Sequence, residues 1–110
     1  MKMNNYKIVE PKLNENLKEK YDKLLKIYNL LKLAKEYWFT KPSNNKTADL
    51  IMDIDVKLFG ILYNLEKGID EKVNFRKDEL SKCFRIPNLK TNEDTWKLHK
   101  QQALEIYDSL

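Results

Sequence analysis

Glycine is almost missing from this 110-residue chain: it has two, Gly60 and Gly68, together with three prolines, one cysteine and one histidine. Each scarcity excludes something. Two glycines cannot form a glycine-rich phosphate loop, and so few turn formers speak against an all-β sandwich. A lone Cys83 cannot close an internal disulfide, and with His99 as the single imidazole no zinc site of the Cys/His kind can be assembled. No apolar run approaches the roughly 18 residues of a membrane-spanning helix, and no apolar stretch follows the first lysines as a secretory signal requires. These absences lead us to expect a cytoplasmic protein without cofactor or metal. Arginine is also scarce, with only Arg76 and Arg85 against nineteen lysines. Lysine binds phosphate as a point charge but lacks the planar fork that reads bases and carboxylates bidentately.

What is present is charge and helix-forming residues. Of the chain 35% is charged and 42% hydrophobic, where an average domain is about 25% charged. The length suits one domain with one core, so residues 1–110 are expected to form a single helical domain. The net charge of +4 is confined to residues 1–38, with nine lysines and five acids; the remainder is balanced. The eleven asparagines and many lysines together have a plain explanation in the codon usage of an AT-rich genome, which leaves the basic isoelectric point weak evidence for nucleic acid.

Hydrophobic spacing predicts an all-α fold, a small bundle of three long helices and one short one. Residues 1–13 read as a loosely packed arm. A first helix is expected from Asn16, which heads an Asn16-Leu17-Lys18-Glu19 capping box, to about Phe39. Its stripe of Leu17, Tyr21, Leu24, Tyr28 and Leu31 gives way after Asn29 to Leu30, Leu33, Ala34, Tyr37 and Trp38 on another side. After the turn-rich segment 40–46, a second helix starts behind Thr47 as N-cap and stops at Gly68. Residues 69–75 read as a loop, residues 76–84 as a short helix halted before Pro87, and a last helix opens at Thr91.

The second helix is expected to be central. Asp49, Asp53, Lys57, Gly60, Asn64 and Lys67 share one narrow polar strip, and nearly everything else on it is apolar. Such an arc suits the middle of a bundle or the interface of a homodimer. Asp55 interrupts it, with Ile51, Met52, Leu58 and Phe59 three and four residues away. A carboxylate there needs a partner; Arg76, Arg85, a lysine or His99 could supply one, and Asp55 with His99 is the candidate buried polar pair. A catalytic dyad would further need a nucleophile and a pocket, and Ser43, Ser81 and Ser109 lie in no motif. No catalytic residues are assigned and no enzyme is expected.

Residues Glu79-Leu80-Ser81-Lys82-Cys83-Phe84-Arg85-Ile86 resemble the first helix and turn of helix-turn-helix DNA-binding domains. The resemblance implies a DNA-binding regulator built from residues 76–108, with the last helix as reader and Arg85, Lys90, Lys97 and Lys100 as contacts. Arg85 stands where that family prefers glycine, and Glu93 and Asp94 place acids where phosphates attract cations. Nucleic acid is therefore the second reading. The first is a small non-catalytic protein that docks to a macromolecule, above all a protein, as an inhibitor, an immunity-type protein or a regulatory factor of a phage or mobile element. Bacteriocin immunity proteins are similar in size and basic helical character. The expected contact edge is Tyr37, Trp38 and Phe39 with Lys41 and Lys46, because aromatic side chains anchor interfaces.

Overall fold

The computed structural model describes residues 15–39, 46–85 and 93–110. Among these residues there are four α-helices and no strand: α1 (Glu15–Trp38), α2 (Lys46–Glu66), α3 (Lys77–Cys83) and α4 (Glu93–Asp108). The all-helical expectation stands, with three long helices and one short one. The N-terminal arm, most of the 40–46 loop, and the capping residues expected at Thr91 fall outside the described residues. Two expected caps move: Asn16 and Thr47 both lie inside their helices, each of which starts before them.

The end of α2 follows the reading from sequence. Gly68 takes φ 84°, a left-handed conformation that side chains with a Cβ adopt only under strain. The Gly68 amide donates to the Leu65 carbonyl and the Ile69 amide to the Asn64 carbonyl, both at 2.9 Å, which closes a Schellman turn. The chain then runs without regular structure to Arg76, whose backbone amide donates to the Glu79 carboxylate at 2.9 Å and so opens α3. This connector is pinned at both ends. Lys20 donates to Asp70 at 2.8 Å and to the Glu71 carbonyl at 2.6 Å, while Phe75 is buried and its carbonyl accepts the Tyr107 hydroxyl at 2.8 Å.

Side-chain contacts fix the helix directions. Tyr21 reaches Glu66, and Lys35 reaches Asp55, so α1 and α2 run antiparallel. Lys23 reaches the Ser109 carbonyl and Tyr37 lies edge-on to Trp96, so α4 is antiparallel to α1 as well. Neighbours close in the order α1–α2–α3–α4–α1. The hub is therefore the α1–α2 pair, with α2 packed on α1 and α3, rather than α2 alone. The core between them is almost wholly aliphatic: Leu24, Ile27 and Leu31 from α1 face Ile51, Ile54, Leu58, Ile61 and Leu65 from α2, with Leu80 and Cys83 beneath.

Candidate functional site

Helix α2 presents two apolar faces, and among the described residues only one is covered. Ile51, Ile54, Leu58, Ile61, Leu62 and Leu65 are buried, on an arc turned toward α1 and α3. Met52, Val56, Phe59 and Tyr63 are 45, 62, 62 and 51% exposed. At about 100° per residue these four fall within a band roughly 60° wide. Their spacing of four, three and four is the a/d repeat with which one helix seats against another. The band is bordered by Asp49, Asp53, Asn64 and Lys67, and Lys67 Nζ lies 4.3 Å from the centre of the Tyr63 ring. Next to the stripe, Gly60 has nothing within 4 Å of where a Cβ would stand. A surface helix normally carries polar residues on its outer face, so four large apolar side chains in register there are the most unusual feature of the described surface.

Asp55 sits where the two faces meet. Of its neighbours at three and four residues, Ile51 and Leu58 are buried while Met52 and Phe59 are exposed. Its carboxylate accepts from Lys35 of α1 at 3.3 Å, with side-chain exposures of 15% and 31%. The partner is thus a lysine, as one of the expected options had it, and not His99. The pairing with His99 fails on geometry: α1 lies between the edge of α2 that carries Asp55 and the helix α4 that carries His99. His99 instead meets the edge of Trp96, ring centres 5.5 Å apart, and its buried Nδ1 has no hydrogen-bond partner.

The expected contact edge at the end of α1 is largely internal. Trp38 is only 7% exposed, because its position continues the buried spacing of Leu31 and Ala34. Tyr37 is half-buried, edge-on to Trp38 at 5.3 Å and to Trp96 at 6.1 Å. Both aromatics close the α1–α4 end of the core, which corrects their reading as exposed anchors. Phe39 and Lys46 are exposed, with Lys35 Nζ 5.8 Å from the Phe39 ring centre, and Lys41 lies outside the described residues.

The basic groups are dispersed. In α1, Lys18 pairs with Asp22 and Lys23 with Glu19, while Lys20 and Lys35 reach Asp70 and Asp55 beyond residue 38, so part of the surplus charge of the first third is offset by later acids. Arg85, Lys97 and Lys100 are exposed, but Lys97 and Lys100 share their patch of α4 with Glu105 and Asp108. Lys90 lies outside the described residues. The segment that would form the helix-turn-helix turn after Arg85 lies outside the described residues.

Two titrating groups are displaced by their surroundings. The Tyr21 hydroxyl donates to the Glu66 carboxylate at 2.6 Å, and that bond, with some burial and the carboxylate's charge, pushes its pKa up to about 12. Burial chiefly, with the charges of Glu79 and Asp53, pushes the Cys83 thiol up to about 12. A thiol so held is a packing group rather than a nucleophile. Among the described residues no three His, Cys, Asp or Glu side chains come together as a metal site would need, and no helix is long and apolar enough to cross a membrane.

A second apolar recess, an open groove of about 780 Å³ between α1 and α4, has Leu30, Leu33 and Ile106 in its floor. Lys26, Asn29, Gln102 and Glu105 break it up, so it presents no continuous stripe. Comparison with protein-family models, with curated proteins and with solved structures finds no match to the chain.

Sequence reasoning found the apolar residues of α2 but treated them as one arc. The signal that separates them was there: the buried set is wholly Ile and Leu, and the exposed set is Met, Val, Phe and Tyr in a 4-3-4 repeat.

Proposed function

We propose that this protein is a non-catalytic interaction protein that docks onto a protein partner through the outer face of α2. The observation that supports it is the stripe Met52, Val56, Phe59 and Tyr63, exposed over three turns at helix-pairing spacing. Contiguous exposed apolar surface rimmed by polar residues marks association sites, and this rim is charged at both ends of α2. A partner that presents its own apolar helix, with polar flanks, would satisfy the stripe. Inhibitors, immunity-type proteins and regulatory factors all work by occupying a partner in this way, and the reading places the protein in that class. The mixed charge on α4 and the pairing of α1 lysines with acids give nucleic acid little to bind.

Site-specific photo-crosslinking in cells tests the reading. A photoreactive phenylalanine analogue at position 59 should give discrete protein adducts, and the same group at exposed Lys82 should give none. Equal adduct patterns at the two positions would defeat it, as would adducts that disappear on nuclease treatment.

A further inference from the structure

Granted that the outer face of α2 is a docking surface, its charge pattern says what kind of surface would fit it. Asp49 lies in the first turn of the helix, Asp53 one turn later, and Lys67 just beyond the last turn. On the flank that carries Gly60, Asp49 stands at one end of the stripe and Lys67 at the other. A helix of that kind complements a copy of itself laid head to tail.

We infer that the occupant of the α2 stripe is a second copy of this chain, in an antiparallel α2–α2 pair whose two-fold axis passes beside residues 57 and 58. The register follows from the sequence of the stripe. Reversal about that point brings Val56 against Phe59 of the other copy and Met52 against Tyr63, a β-branched or unbranched side chain facing an aromatic one in each case. The same reversal, to within one residue, brings Asp49 to Lys67. Each contact occurs twice, as an isologous two-fold interface requires. A parallel two-fold pair would set each flank against the opposite one, which takes Asp49 away from Lys67 and turns the flank on which α1 packs toward the charged rim of the other copy. Under the antiparallel two-fold each flank of α2 meets the same flank of its copy, so the flank carrying Asp49 and Lys67 is self-complementary while α1, on the other flank, stays clear of the seam. Gly60, with open space around its Cβ position, sits beside the middle of that seam.

The size of the surface sets the expected strength. Helix α2 has 21 residues and is about 31 Å long at 1.5 Å per residue. Two such helices side by side cover roughly 1,000 Å² in total, at the lower bound of stable interfaces. The dimer should therefore be reversible and dissociate in about the micromolar range.

Sedimentation equilibrium of the purified full chain across the micromolar range tests this. A monomer–dimer equilibrium is expected. Phe59→Lys should weaken it roughly tenfold or more, with Val56→Glu as a second variant should the first disturb the fold by circular dichroism. Asp49→Lys and Lys67→Asp should each weaken the dimer about two- to fivefold, and the double variant should recover it, because each substitution then finds its opposite on the other copy. A chain that stays monomeric, or a dimer indifferent to Phe59→Lys, overturns the inference. A dimer that the charge exchange does not rescue overturns the antiparallel register. Crosslinks from position 59 to a different protein, with the chain itself monomeric, would overturn self-pairing and leave the docking reading standing; no adduct of either kind would defeat both.

Discussion

Leu58 and Phe59 are consecutive residues of one helix, yet one is fully buried and the other 62% exposed. The difference extends along α2. Its inner face is Ile and Leu only, the shapes that fill an aliphatic core in few rotamers. Its outer face is Met, Val, Phe and Tyr, and in this set the aromatic and thioether side chains can anchor in or adapt to a partner surface. The contrast teaches that one helix can carry two apolar faces of different composition, the inner one closely packed within the chain and the outer one open among the described residues.

The contrast breaks most easily at its starting point. Leu58→Ala should cost about 2–5 kcal/mol in urea unfolding, as for other fully buried leucines. Phe59→Ala, measured in dilute solution, should change stability by less than about 0.5 kcal/mol. Equal losses would mean that the outer face is packed after all. The boundary between the faces should respond next. Lys35→Met leaves the part-buried Asp55 carboxylate without its cation and should cost about 1–2 kcal/mol; combining it with Asp55→Leu should recover most of the loss, because an apolar pair there removes the stranded charge. No recovery would place the worth of the pair in something other than its charges.

Gly60→Ala, measured at concentrations where the chain is monomeric, should raise stability by about 0.5–1 kcal/mol, since the added methyl meets nothing and the helix loses its most flexible interior residue. A loss instead would show that this side of α2 is covered. The smallest effect is a pH dependence at the lower end of the α1–α2 seam. The pKa of Tyr21 is raised in the folded state, so its contribution is fully present below the ordinary tyrosine value near 10 and is lost as pH climbs through about 12. Tyrosinate absorbance should show one late-titrating group that Tyr21→Phe removes, and that variant should lose the matching decline in stability.

Much of the fold was legible in the sequence because it depends on local periodicity. Gly68 marks the end of α2, and the stripe read along α1 holds the buried Leu17, Leu24 and Leu31; the buried face in fact runs on through Ile27, Ala34 and Trp38 at the same 3-4 spacing instead of turning to another side after Asn29. Reading Tyr37 and Trp38 as an outward edge missed that Trp38 continues that spacing. The ring of Tyr37 beside it meets Trp96 of α4, which arrives from the far end of the sequence. The partner of Asp55 was not legible for a similar reason: Lys35 precedes it by twenty residues and meets it only because α1 and α2 run antiparallel. The outer stripe was visible as apolar residues, but hydropathy around a helix does not say which neighbours cover which side. That knowledge comes from α1 and α3 occupying one side of α2 and leaving the other open.

The placement of the indoles governs what light can report about this protein. Its two tryptophans, Trp38 and Trp96, both contact the ring of Tyr37 at one end of the bundle. Intrinsic emission is therefore a local gauge of the α1–α4 closure and is blind to the Gly68 end. Should that end open first on heating, ellipticity would fall while the emission maximum stayed fixed, and the lag between the two signals would time how the connector and α3 come away from the helices that hold them.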